Sequence, residues 1–118
     1  MLKSIAAAGF GGAAGAMARF WVQQGAAGPE GTLTANILAS LLIGYINGLQ
    51  IKEKKPMLLL FLGTGFCGGF STMSTFSMEV CTLLLDGGLS GLLYIVSTAV
   101  LCIGSAFLGY SAAGKAVK

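Results

Sequence analysis

Apolar residues run through this chain in long stretches with no wet helical face between them, and polar or turn-forming clusters cut the stretches into four. The first covers 4–24 and ends at a turn-forming segment from Gly25 to Pro29. The second covers 32–51 and stops at Lys52, Glu53, Lys54 and Lys55, ahead of Pro56, which suits the first turn of another helix. The third covers 56–85, and Asp86, Gly87 and Gly88 separate it from the fourth, 89–113. Crossing the hydrocarbon core takes about 20 helical residues. The pattern therefore predicts an all-α integral membrane protein, with four transmembrane helices in a single domain over 1–118. The third stretch, at about 30 residues, is too long for one straight crossing. Its surplus coincides with Gly68, Gly69, Phe70, Ser71, Thr72, Met73, Ser74, Thr75, Phe76 and Ser77, a segment of weak helix propensity. The third helix is therefore expected to be broken there, with its freed backbone buried in protein or lining a polar cavity. The competing reading is an unbroken helix whose hydroxyls bond back to their own carbonyls.

Composition supports the membrane reading. Hydrophobic residues make up 55% of the chain and charged residues 9%, against about a quarter charged in soluble domains, too few to build a water-facing surface. Small residues recur at four-residue spacing, Gly11 with Gly15, Ser40 with Gly44 and Gly48, and Gly65 with Gly69, which allows close helix contact in lipid. Four short helices leave little interior for polar groups, so a dimer or larger assembly is expected. The first apolar run leads into Arg19 and Trp21 without a small-residue cleavage site and reads as a retained helix. Cys67, Cys81 and Cys102 lie in apolar runs at spacings that suit neither a disulfide framework nor a zinc site, and they read as packing residues. The chain has no histidine, which excludes histidine-based catalysis and metal ligation. Gly9 to Ala14 matches a dinucleotide fingerprint only superficially, with no preceding strand and inside a membrane run. No nucleophile, base and oxyanion-hole arrangement is evident, so an enzyme is not expected.

Charge placement sets an orientation. With an even number of spans, Lys3, Lys52, Lys54, Lys55, Lys115 and Lys118 share one side, while Glu30 and Asp86 lie opposite with Arg19 as the only candidate cation. The positive-inside rule then places both termini in the cytoplasm of a cell-membrane protein. The net charge of +3 comes from lysines flanking membrane segments and implies no nucleic-acid partner.

A few polar residues inside the runs are candidates for chemistry. The Asn36 carboxamide must find partners away from lipid, either in an interhelical hydrogen bond or at an ion. Tyr94, Thr98 and Cys102 form a polar stripe on the fourth run, with Ser105 near the same face. Arg19 either attracts anions at a vestibule or snorkels to the headgroups. Glu79 either stabilises a helix or lines an aqueous entrance.

Three segments together resemble the Fluc (CrcB) fluoride channels, double-barrelled antiparallel dimers of four-helix subunits. Gly11-Gly12-Ala13-Ala14-Gly15-Ala16-Met17-Ala18-Arg19-Phe20 is similar to the family's first-helix G-G-x-x-G-A-x-x-R-[YF], and Gly31-Thr32-Leu33-Thr34-Ala35-Asn36 to its G-T-L-x-x-N. The segment from Gly68 through Glu79 is similar to G-G-[FL]-T-T-F-S-T-F-S-x-E. The resemblance implies a fluoride-selective channel subunit for passive fluoride export. In it Asn36 gives an amide donor to the fluoride pathway and Phe76 gives the positive edge of its ring. It places Ser74, Thr75, Tyr94, Thr98 and Cys102 on the polar track, with Arg19 near a vestibule and Glu79 beside it. It further implies a structural sodium ion at the dimer centre, held by the main-chain carbonyls of Gly68 and Ser71.

Met73 departs from the pattern, standing where the family usually has the first of two pore phenylalanines; a thioether fills similar volume without an aromatic quadrupole. The one-sided lysines bear on assembly, because a homodimer that inserts both ways should carry little lysine bias. A heterodimer with a related, oppositely oriented subunit is therefore expected, and a homodimer is the alternative. Two competing functions are a noncatalytic structural membrane subunit and a small multidrug-resistance-type exporter. The exporter needs a first-helix carboxylate, and that helix has none.

Overall fold

A computed structural model of the chain describes residues 1–26, 28–49 and 55–117. The expectations placed on Ile51, Lys52, Glu53, Lys54 and Lys118 lie outside the described residues. All regular structure among the described residues is helical. In chain order the elements are α1 (Leu2–Gly25), α2 (Pro29–Gly48), α3 (Pro56–Leu59), a π-helical stretch (Leu60–Cys67), α4 (Gly68–Phe70), α5 (Ser74–Asp86) and α6 (Leu89–Val117).

Three helical stretches among these residues are long and apolar enough to cross a membrane: Leu2–Gly25, Pro56–Asp86 and Leu89–Lys115. Helix α2 is outside that set. It carries Glu30, Thr32, Thr34, Asn36, Ser40 and Asn47, which lower its mean hydropathy. It opens at Pro29 rather than Thr32, because Gly28 turns the chain with φ at 85° and its carbonyl accepts the amides of Gly31 (3.1 Å) and Thr32 (3.2 Å). Proline at the first helical position has no amide to leave unsatisfied. At the other end of the chain, α6 continues past Ala113 to Val117.

The distribution of side chains is the reverse of a soluble protein's. Phe10, Trp21, Phe107 and Leu108 are all more than half exposed, whereas the buried positions are mostly small: Ala35, Ala39, Cys67 and Ala113, with several glycines. Large apolar groups on the outside and small ones at the contacts are the arrangement that lipid favours, since burying leucine away from lipid tails gains little. The chain is a membrane protein.

Two helix pairs make the closest contacts. Along α2 and α6, a Cβ at Gly44 would run into the Ala106 carbonyl, one at Gly109 into the Leu41 carbonyl, and one at Gly48 into Ala113 and Tyr110. Helix α1 packs in the same way on the π-helical stretch and α4: Gly11 against the Phe61 carbonyl, Gly15 against the Phe66 carbonyl, Gly65 against Ala8 and Gly69 against Gly12. The π-helical stretch, in which bonding to the fifth residue widens the turn, was not anticipated from the sequence. Gly63 and Gly65 within it have no Cβ to obstruct the close approach of α1 and α2.

Helical geometry then stops at Phe70 and resumes at Ser74. Ser71 is extended, with φ −78° and ψ 162°. After α5, Gly88 makes the turn into α6 with φ at 74°, a left-handed conformation that side-chain-bearing residues avoid.

These contacts generate a stability prediction. Gly15→Ala and Gly109→Ala each force a methyl into a facing backbone carbonyl and are expected to cost about 1–3 kcal/mol. Gly9→Ala meets nothing within 4 Å and should move the thermal midpoint less than either. Thermal denaturation of the three purified variants in one detergent checks this. Equal midpoints for Gly15→Ala and Gly9→Ala would contradict the packing.

Candidate functional site

The gap between α4 and α5 is organised by one side chain from another helix. Asn36, on the second turn of α2, makes a two-point pairing with Thr72: the Thr72 amide donates to Asn36 Oδ1 (2.8 Å) and Asn36 Nδ2 donates to the Thr72 carbonyl (3.2 Å). One residue can offer its N–H and C=O on the same side only where the backbone is extended, as in a narrow strand pair. The pairing also fixes which way the carboxamide faces, since an amide must meet the oxygen and a carbonyl the nitrogen. Asn36 keeps one N–H of Nδ2 beyond this pairing.

Thr72 is buried, with 8% of its surface exposed, and its hydroxyl accepts the amide of Thr75 (3.2 Å). A threonine bonding the amide three residues on is the usual side-chain device for starting a helix, here α5. Thr72 Oγ1 also lies 3.5 Å from Ser74 Oγ. The Ser71 hydroxyl donates back to the Cys67 carbonyl (2.8 Å), and the Ser71 amide donates to that same carbonyl (3.0 Å). The break leaves the last carbonyls of α4 without their helical donors, and for two carbonyls at the gap the missing amide has an identifiable taker. The amide due to Gly68 is that of Thr72, which Asn36 takes; the amide due to Ser71 is that of Thr75, which Thr72 Oγ1 takes.

The Ser71 carbonyl instead accepts Arg19 Nη1 from α1 at 3.3 Å. Arg19 is half-buried and its guanidinium reaches backbone. A carbonyl has two lone pairs, so Ser71 retains one for another ligand and Gly68 retains more. These are hard oxygen donors of the kind that suit an alkali or alkaline-earth cation. Among the described residues, no group of three or more Cys, Asp or Glu side chains gathers to hold a metal. A cation here would be held by main-chain oxygens.

Beside the gap is a cavity of about 390 Å³, lined by Asn36, Ser71, Met73, Phe76, Thr98 and Cys102 among others. Its lining joins α2, the gap, α5 and α6. Thr98 Oγ1 is buried and has no hydrogen-bond partner, although a buried hydroxyl without one costs about 1–3 kcal/mol. Met73 lines the cavity while 72% exposed, so its thioether is loosely held.

The remaining sequence candidates lie elsewhere. Tyr94 is buried one helical turn from Thr98; its hydroxyl donates to Glu79 Oε1 (3.1 Å) and its ring meets Phe76 edge-on, with centroids 5.1 Å apart at 67°. Tyr94 and Glu79 thus support a wall of the cavity through Phe76 without being part of its lining. Ser74 is exposed and Thr75 contributes its amide to Thr72; neither lines the cavity. Gly68 is also outside the lining. The sequence marks no separate role for Thr72. The available signal was a threonine three residues ahead of a helical amide, a helix-start pattern hidden within a hydroxyl-rich run.

Residues 6–110 match the family described as CrcB-like protein, Camphor Resistance (CrcB). Curated relatives cover most of the chain. The protein named Fluoride-specific ion channel FluC 2 from Bacillus subtilis is 42% identical over 113 residues, spanning 92% of this chain and 86% of that protein. Fluoride-specific ion channel FluC from Pyrococcus furiosus is 41% identical over 120 residues, 92% and 94% of the two chains. The protein of that name from Thermococcus kodakarensis is 39% identical over 125 residues, 97% and 98%. With the family match running from α1 into α6 and identity near two-fifths along almost the whole length, this chain belongs to the CrcB-like protein family.

Proposed function

We propose that this chain is a subunit of a fluoride-specific ion channel that lets fluoride leave the cell passively. The observation that carries the reading is the orientation of Asn36: its oxygen is turned onto the Thr72 amide, and the residue, with one N–H uncommitted, lines a cavity together with Phe76 and with Thr98, whose hydroxyl has no partner. A small, strongly hydrated anion entering a membrane needs donors to replace its water, and that lining offers donors. The relatives bearing the name fluoride-specific ion channel support the choice of anion. Their being channels means that the chain is not an enzyme, and it disfavours the exporter and structural-subunit alternatives.

In this reading Asn36 and Thr98 donate to fluoride, Cys102 gives a weaker donor and Phe76 the positive edge of its ring. Tyr94 and Glu79 hold the Phe76 ring in place, and Ser74 and Thr75 belong to the entrance of the track. Arg19 acts at the gap, adding positive potential near the anion path. Met73 fills volume opposite Phe76 without an aromatic edge. The chain crosses the membrane four times, with α2 as the second crossing and the third interrupted at Ser71–Met73. The polar face of α2 supports this, because it is tolerated in a membrane when turned toward protein or a cavity.

A sodium ion held by the Gly68 and Ser71 carbonyls is part of the proposal, supported by the loss of both helical donors. Two oxygens do not complete the shell of a hard cation, so the other ligands come from a second, antiparallel subunit. The exposed Phe107 and Leu108 suit contact with lipid or that subunit. Lysines on one side favour a fixed orientation in the plasma membrane with cytoplasmic termini, and hence an unequal pair.

Fluoride efflux from proteoliposomes, with chloride as control, tests the function; no fluoride flux from this chain, alone or with a partner subunit, would sink it. Replacing Asn36 with leucine removes a hydrogen bond to a charged species worth about 1.5–3 kcal/mol, so flux should fall about ten- to a hundredfold. Phe76→Leu should lower flux about two- to tenfold, while Met73→Leu should leave it within about twofold. Orientation is tested separately by reporter fusions at the carboxyl terminus of the chain expressed alone. A single cytoplasmic location is expected, and an even mixture would remove the argument for an unequal pair.

A further inference from the structure

The geometry points to Asn36 and Thr72 as the positioning residues of the cation centre, so that the anion path and the cation site share one hydrogen-bonded unit. This rests on the proposal that Gly68 and Ser71 hold sodium. The reasoning starts from a constraint on donors: an amide hydrogen that bonds well to one acceptor is lost to another. At 2.8 Å, the Thr72 amide is committed to Asn36 Oδ1, and the Gly68 carbonyl goes without it. At 3.2 Å, the Thr75 amide is committed to Thr72 Oγ1, and the Ser71 carbonyl goes without it. The Gly68 carbonyl is therefore kept open by Asn36, and the Ser71 carbonyl, which accepts Arg19 Nη1 at 3.3 Å, keeps its second lone pair because Thr72 Oγ1 takes the Thr75 amide.

The two captures depend on each other. Thr72 can face Asn36 with both its N–H and its C=O only while the backbone at the gap is extended, as Ser71 is. That same extended path brings Thr72 Oγ1 over the first turn of α5, where it meets Thr75. Removal of the Asn36 acceptor leaves a buried amide with no partner, and the nearest remedy is the Gly68 carbonyl one helical turn back. Closing that bond would repair the helix and cover the first cation ligand. Asn36 thus has a task besides its donor role toward the anion, carried out by the opposite end of the same carboxamide. Burial reinforces the coupling: Thr72 is 8% exposed, so water is a poor substitute for either side chain.

The test uses the assembled channel in detergent without fluoride, so that anion conduction does not enter the readout. Thermal midpoint is followed as sodium chloride replaces potassium chloride at constant ionic strength, with a monodisperse elution profile required of every variant. The native channel should be stabilised by sodium over potassium. Thr72→Ser, which keeps the hydroxyl, should retain that response. Thr72→Val, nearly the same shape without the acceptor, should weaken apparent sodium affinity about tenfold or more, and Asn36→Leu should do the same. A loss of packing alone would lower the midpoint in both salts equally and leave the sodium increment unchanged. A native sodium response that persists undiminished in Thr72→Val and Asn36→Leu overturns the coupling and leaves the sodium proposal standing. If Asn36→Leu does not assemble, the Thr72→Ser and Thr72→Val pair decides. No sodium response in the native channel overturns the sodium proposal, and the coupling falls with it.

Discussion

Within a bilayer, a backbone amide released from a helix has no water to turn to, and some other group must accept it. At the interruption between α4 and α5 the acceptors are supplied by Asn36 from α2 and by Thr72 within the gap itself. An extended residue in the middle of an apolar stretch would otherwise leave polar backbone unpaired at a cost of several kcal/mol. The rest of the site follows from that exchange. It opens two carbonyls, fixes the face that Asn36 presents to the cavity, and gives α5 its starting bond. Arg19 adds a third link by reaching from α1 to the Ser71 carbonyl.

None of these links would be in reach without the small residues that set helix spacing. Glycines place α1 against the π-helical stretch and α2 against α6 at backbone-to-backbone distance. Arg19 and Asn36 then approach the gap from two sides. This is how a chain of 118 residues with so little interior can seat a polar cluster. Packing by large apolar groups would hold the helices farther apart, because the distance between axes is set by the side chains at the contact. The large apolar groups lie outside instead, and they suit the lipid there.

The aromatic pair shows how the cavity wall is held. Phe76 lines the cavity, Tyr94 supports its ring edge-on from α6, and Glu79 secures the Tyr94 hydroxyl from α5. The carboxylate that stood alone in the sequence thus has a partner fifteen residues away. Its carboxyl group meets a hydroxyl behind the wall and lies outside the cavity lining.

Much of this could be read from the sequence, for reasons that are local or compositional. Membrane residence follows from long apolar runs and few charges, because those properties depend on residue type and not on partners. The turns at Gly28 and Gly87–Gly88 follow from glycine and proline chemistry. The weak point near Ser71 could be anticipated from low helix propensity, and Asn36 from the cost of a carboxamide in lipid. The sequence could not say which residues are extended, that Leu60–Cys67 bonds as a π-helix, that Arg19 reaches backbone, or that Tyr94 leaves the Thr98 and Cys102 lining for Glu79. The role of Thr72 was equally hidden, since one hydroxyl among several in a row has no local mark of its partner. Each of these depends on a bond between residues far apart in the chain or on competition among acceptors for one amide. Composition and spacing determine which groups need partners; only the packing of α1, α2 and α6 around the gap decides which partners they get.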